Sequence, residues 1–293
     1  ITLHDHFVPQ GCLVQHQGPV HAVSVQTGAR WLPVYEAVTT RAGRYVQGGG
    51  CTTVGVAGFI LGGGFGSFSK RHGTGALHLL EAEIVTADGA VRIANACTNR
   101  DLFWALRGGG IGSFGVVTRL TLQTFGLPRF AGVVMGTIKA SSDEAFKRLI
   151  ARFNDLYATR LFNRHWGESV SFTPQNSMAL NLVFHDLDQH AAETAMRPLQ
   201  DFVAAAPLDY TMTEPFKILA ISARRWWDTA YLSKHYPFAV VHDPRPGAPP
   251  GDVWWAGNQG EVGFFIHGYE SVWLPSSLID QPRRATLTQA LFD

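Results

Sequence analysis

Cys51 stands in the run GGGCTTVGVAGFILGGGFG, Gly48–Gly66, where nine of 19 residues are glycine. No charged residue occurs between Arg44 and Lys70. Glycine this dense clears side chains where something large and flat approaches the backbone, or where backbone N–H groups converge on anionic oxygens. A thiol kept in such a run can bond to what lies against it, or it can serve as a small buried hydrophobe. A second set of reactive types follows period-two spacing near the end of the chain. Val262, Phe264, Ile266, Val272 and Leu274 are apolar and read as core. Glu261, His267, Tyr269, Ser271 and Trp273 then share the opposite face. Such a face suits a carbohydrate or polar-alcohol site with a proton acceptor in it, and the same alternation also fits an ordinary solvated sheet face. Asn181 joins by the same parity, with Leu180, Leu182 and Phe184 turned inward.

Other patterns carry less. GIGSFG, Gly110–Gly115, matches GxGxxG, but a helix precedes it and a strand follows. A dinucleotide fingerprint needs the reverse order, so no NAD site is expected. FHDLDQH, Phe184–His190, has metal-ligand residue types without a ligand spacing, and Asp188 is placed to cap a helix, so no metal is expected. RRWWD, Arg224–Asp228, reads as a helix packed by its tryptophans, without a basic groove for nucleic acid. Gly58 and Gly62 form a GxxxG pair in an uncharged stretch, but a span needs about 20 mostly apolar residues and this much glycine disfavours a long helix.

The bulk composition agrees. The 293 residues are 46% hydrophobic and 16% charged, with a formal net charge of +1. Such a chain can bury a sizeable core, and its charge offers no electrostatic reason to bind nucleic acid or an anionic membrane. Three cysteines, Cys12, Cys51 and Cys97, are too few and scattered for a disulfide framework or a cysteine zinc site, and they leave the redox compartment open.

The elements that must position these residues are legible in outline. VHAVSVQTG from Val20 alternates as a strand, and WLPVYEAVTTRAG reads as a helix stopped by Gly43. LLEAEIVTADGAVRIA is a hairpin about Asp88-Gly89. TNRDLFWALRGGG is a short helix, with Thr98 and Asp101 at capping-box spacing. FGVVTRLTLQTF is a strand with Leu120 and Leu122 on one face. After Pro128 the pattern changes. Phe146, Leu149, Ile150, Phe153 and Tyr157 form a helical stripe, SVSFTPQNSMALNLVFHD a hairpin, and HAAETAMRPLQDFVAAA a second amphipathic helix containing Pro198. VWWAGNQGEVGFFIHGYESVWLP reads as strands again. The expectation is an α+β chain whose later part is an antiparallel sheet with helices on one face.

Residues 20–126 resemble, in unbroken order, the second half of the FAD-binding domain of PCMH-type flavoproteins of the vanillyl-alcohol-oxidase superfamily, with the berberine-bridge-enzyme-like group as the nearest pattern. The motifs are GGGCTTVGVAGFILGGGFG, LLEAEIVTADGAV, DLFWALRGGG and FGVVTRLTL. The resemblance implies a partial FAD-binding domain at 1–127 and a substrate cap domain at 128–293, the chain being a segment cut at both ends. It places Gly50, Cys51, Thr53, Val54, Gly55, Gly58, Gly63, Gly66, Gly115, Val116 and Val117 at the cofactor. Cys51 falls on the position that, in bicovalent members, forms a thioether to C6 of the isoalloxazine. Thr52 replaces the proline that follows it there. The second link would come from a histidine in a loop upstream of Ile1, which also contacts the pyrophosphate, so this segment alone is expected to bind FAD weakly or not at all. His4-Asp5-His6 lacks the flanking glycines of that loop. Val54 matches the position where a small valine accompanies oxygen access, and Phe59 stands where many relatives carry a histidine.

The function implied is FAD-dependent oxidation of an alcohol or sugar-like hydroxyl, with hydride passing to flavin N5 and O2 taking the electrons to give H2O2. Glu261, His267 and Tyr269 are the catalytic candidates for taking up the hydroxyl proton, and Asn181 and Trp273 the substrate contacts. A dehydrogenase with another acceptor, or a flavin-fold binding protein without turnover, are the other readings. The resemblance favours a secreted or periplasmic setting.

Overall fold

The computed structural model describes residues 1–13, 18–249, 251–256 and 271–293. Two units arise, one of residues 1–128 with 223–256, the other of 129–222 with 271–293.

In chain order the first unit opens with β1 (Thr2–Phe7), β2 (Val20–Gln26) and α1 (Trp31–Tyr35), which runs on into a π-helical turn Glu36–Arg41. β3 (Arg44–Val46), α2 (Val56–Leu61) and α3 (Ser69–His72) follow, then β4 (Leu79–Val85), β5 (Val91–Asn95), α4 (Arg100–Leu106) and β6 (Val116–Gly126). The strands form an antiparallel sheet of order β1-β2-β6-β4-β5, with β3 also pairing β6. The β4–β5 hairpin closes with Val85 opposite Val91, and Gly89 takes φ 77°, as the Asp-Gly pair demands. Leu120 and Leu122 of β6 are buried with Val23, Val25, Ile60, Ile84 and Trp31 in one core. α4 differs from the capping-box expectation. Asn99 is its N-cap, at φ 47°, and Thr98 instead donates to the Gln10 carbonyl at 2.9 Å.

The second unit is built from β7 (Phe130–Ala140), α5 (Asp143–Leu156), β8 (Trp166–Thr173), β9 (Ser177–His185), α6 (Gln189–Ala204) and β10 (Tyr210–Ser222). Its antiparallel sheet runs β10-β7-β9-β8. Phe146, Leu149, Ile150 and Phe153 of α5 share a core with Met196 and Leu199 of α6 and with Leu180, Leu182 and Phe184 of β9. The helical and strand periodicities thus meet in a helix layer on a sheet. Ser142 caps α5 and Asp188 caps α6, each side chain accepting from the backbone N–H three residues on.

Residues after β10 depart from the expected single cap at 128–293. α7 (Thr229–His235), β11 (Val240–His242) and β12 (Val253–Trp255) belong with the first unit. Arg224 Nε donates to the Thr40 carbonyl at 2.9 Å, and the Trp227 ring stacks on Tyr35 at 4.1 Å. RRWWD is not one helix: Ala223–Arg225 makes a single 3-10 turn, and Asp228 caps α7. α8 (Arg284–Phe292) closes the chain in the second unit, where Thr288 Oγ1 accepts from Asn154 at 2.9 Å. Residues 271–275 form no strand, and Val272 and Leu274 are exposed rather than core, because no strand among the described residues pairs with them to convert alternation into sides. The cysteines also differ from expectation: Cys12 and Cys97 form a disulfide across 85 residues.

Candidate functional site

The glycine run divides by what a side chain would meet. A Cβ at Gly48 would lie 2.2 Å from the Tyr35 hydroxyl and 2.7 Å from the Trp31 ring. One at Gly49 would meet the Phe59 ring at 2.9 Å, and one at Gly66 the Gly48 carbonyl at 2.2 Å. These glycines let the chain pack on itself. Gly50 and Gly55 have open space where a side chain would stand, and Gly58 meets only Ile111 at 3.9 Å. None of these three has a positive φ. Packing among the described residues therefore does not demand glycine there, and the backbone beside Cys51 stands clear of them.

The loop from Gly48 to Gly55 is held on several sides. The amides of Trp31 and Leu32 donate to the carbonyls of Val54 and Thr52, each at 3.0 Å. Val56 N donates to the Ala29 carbonyl at 3.0 Å. Thr52 Oγ1 is buried and donates to the Val253 carbonyl at 2.5 Å. Tyr35 Oη donates to the Gly49 carbonyl at 2.6 Å. Burial pushes the Tyr35 phenol well above its ordinary 10, so it stays a donor. Below the loop, buried Gln47 donates to the Gly73 carbonyl at 3.0 Å and accepts from Tyr45 Oη at 2.5 Å. Gly75 N donates to the Gly64 carbonyl at 2.7 Å, and Gly110 N to the Leu61 carbonyl at 3.1 Å. These bonds bring the loop, the end of α2 and the turn before β6 together.

The expected cofactor residues fall into distinct settings. Cys51 and Thr53 are half-buried and Val54 is 41% exposed at the loop's tip. Gly63 has φ 101° with open space beyond it. Gly66 is buried, with its N–H given to Ser69 Oγ at 3.1 Å. Gly115 lies close on β4, where a Cβ would be 2.3 Å from the Val85 carbonyl. Val116 is exposed, and Val117 is part of the core. Phe59 points beneath the run, edge-on to Trp31 at 5.3 Å, and so supports the loop rather than facing outward.

In the second unit Asn181 lies on β9 between Met135 and Ser169, exposed on the side away from Leu180 and Leu182. Trp273 is 80% exposed in the irregular stretch 271–275. Glu261, His267 and Tyr269 lie outside the described residues. Tyr35 and Gln47 were not singled out from sequence. The Trp31–Tyr35 spacing of four, ahead of a glycine run, is the signal that marks the first.

Residues 13–95 match the family model described as an FAD binding domain. MtVAO615, a VAO-type flavoprotein from Myceliophthora thermophila C1, superposes with a TM-score of 0.63 at 26% identity, over 75% of this chain and 38% of that one. Residues 13–95 are thus similar to an FAD binding domain, and the fold is similar to that of a VAO-type flavoprotein. A carbohydrate oxidase from Microdochium nivale gives a TM-score of 0.54 at 25% identity, over 70% of this chain and 42% of that one. Among curated relatives, FAD-linked oxidoreductase malF of Malbranchea aurantiaca is 48% identical over 120 residues, which are 41% of this chain and 20% of that protein. FAD-linked oxidoreductase OXR2 of Pyricularia oryzae is 32% identical over 206 residues, 70% of this chain and 33% of that protein. The chain thus spans a fifth to a third of the length of these relatives. Gly50 and Gly55, with open space, and Gly58, with only Ile111 near, fit FAD, since a side chain at these positions would occupy space beside the Cys51 loop.

Proposed function

We propose that the protein is an FAD-linked oxidoreductase that oxidises an alcohol or sugar-like hydroxyl, with O2 as the electron acceptor. The observation that carries the reading is the bare backbone at Gly50, Gly55 and Gly58, on either side of Cys51 and Val54. The names of the relatives, FAD-linked oxidoreductases, and of the neighbouring carbohydrate oxidase support the reaction class. Bound FAD would supply a two-electron acceptor that takes hydride from the substrate carbon and can be reoxidised by O2.

Every other part of the work falls to the chain. Gly50, Gly55, Gly58 and Gly63 would let the isoalloxazine lie against the backbone. The Cys51 thiol would hold it by a thioether. Val54, small at the loop's tip, would leave a path for O2. In the substrate region Glu261, His267 or Tyr269 would accept the hydroxyl proton as the carbon is oxidised, with Asn181 and Trp273 holding the ring or hydroxyls.

The test is spectroscopic. The flavin band of the full-length protein should bleach anaerobically with members of a sugar and alcohol panel. It should return in air with oxygen consumed and H2O2 formed. Bleaching without oxygen uptake would assign a dehydrogenase, and no bleaching by any hydroxyl substrate would defeat the proposal.

A further inference from the structure

Tyr35 lies flat between two tryptophans, Trp31 at 5.1 Å and 18° and Trp227 at 4.1 Å and 15°. It is 3% exposed. The sandwich fixes the ring plane, and so the direction in which the hydroxyl points. That hydroxyl donates to the Gly49 carbonyl, and the backbone at Gly48 lies so close to it that no Cβ fits. The remaining anchors of the loop, Thr52 and Val54, lie on the far side of Gly50 and Cys51.

We propose that Tyr35 is a positioning residue for Cys51: its hydrogen bond to Gly49 sets the height of Gly50 and the aim of the Cys51 thiol. The significance for turnover rests on the reading of Cys51 as a flavin-facing residue. The positioning itself does not need flavin. Tyr35 touches no reacting atom in this scheme and acts through the loop backbone. Trp227 acts one step further out, since the segment returning after β10 supplies the second face of the sandwich.

The test uses Tyr35→Phe in the full-length protein, which keeps the ring and both stacks and removes only the donor. Cys51 labelling by an aromatic disulfide reagent is followed in flavin-free protein, with the signal of Cys51→Ala subtracted. Loosening of the loop should speed labelling about fivefold while the melting temperature stays within a few degrees of the parent. In flavin-loaded protein the share of flavin linked to Cys51, read by peptide mapping after denaturation, should fall. Tyr35→Leu, which also loses the stacks, should speed labelling further. Unchanged labelling in Tyr35→Phe overturns the proposal, and so does an effect seen only in Tyr35→Leu, which would assign the loop to ring packing alone. If the parent releases all its flavin on denaturation while Tyr35→Phe still speeds labelling, the positioning role stands and the covalent flavin reading falls.

Discussion

At Gly48 and Gly50, two residues apart, glycine serves opposite purposes, and substitution separates them. Gly48→Ala forces a methyl onto the Tyr35 hydroxyl and the Trp31 ring, so it should destabilise the fold by about 1–3 kcal/mol in chemical denaturation. Gly50→Ala meets open space and should change stability by no more than about 0.5 kcal/mol. Its effect should appear instead as FAD affinity weakened about tenfold or more, read by flavin retention on gel filtration. Equal stability losses at the two positions would mean that Gly50 is also a packing glycine. Val54 is the other residue to separate. Val54→Leu adds one methylene at an exposed position, so folding should be spared. Flavin reoxidation by O2 should slow far more than substrate reduction, in stopped-flow measurement of each half-reaction. Equal slowing of both would place the oxygen path elsewhere.

At the scale of elements, the helix–sheet junction around α3 carries a pH dependence. His72 stacks on Tyr45 at 4.7 Å and lies 4.9 Å from Phe125 of β6. Burial first, then the charges of Arg71 and His78, lower its pKa from 6.5 to about 4. His78, whose ring meets the His72 carbonyl at 2.5 Å, is also lowered, chiefly by burial. Both histidines are therefore neutral in the fold at pH 7. Below pH 6.5 the unfolded chain takes up protons that the folded chain refuses, His72 until near pH 4 and His78 also below its ordinary value. The contribution of His72 to stability is whole above pH 6.5, is lost as pH falls towards 4, and changes little below that, and His78 adds a loss of the same sign. Urea midpoints at pH 8, 5.5 and 4.5 should fall in that order, and His72→Gln should flatten the slope. A slope unchanged by the substitution would assign the acid sensitivity to other groups.

For the whole molecule, the Cys12–Cys97 bridge is a covalent constraint across 85 residues of the first unit. Around it Gln10 N donates to Glu81 Oε2 at 2.7 Å, and Asn95 Nδ2 reaches both the Gln10 carbonyl and Glu81. The bridge and these bonds pin the segment after β1 to the β4–β5 hairpin. Peptide mapping without reductant should recover Cys12 linked to Cys97. Replacing both by serine should lower stability by about 2–4 kcal/mol, measured by denaturant melts. Two alkylatable thiols at these positions in native protein would overturn the pairing. The return of residues 223–256 acts at the same scale, because it supplies Trp227, Val253 and Asp252 to the first unit. Asp252 pairs with Arg30 at 2.6 Å.

Much of this was present in local pattern. The Asp88-Gly89 hairpin, the α5 stripe, the Asp188 cap and the inward Leu180, Leu182 and Phe184 depend on turn chemistry and on periods of 3.6 and 2, which neighbours in sequence carry by themselves. The glycine run likewise announced a bare surface. What it could not say was which glycines serve the fold and which leave space, because that depends on Tyr35, Trp31, Phe59 and Val85 arriving from elsewhere. The disulfide, the Tyr35–Trp227 stack and the regrouping of 223–256 join residues 85 or more positions apart, and no local period encodes such pairings. Alternation at Val272 and Leu274 misled for the same reason: a period of two becomes inside and outside only when a partner strand and a packed face exist, and tertiary structure alone supplies both.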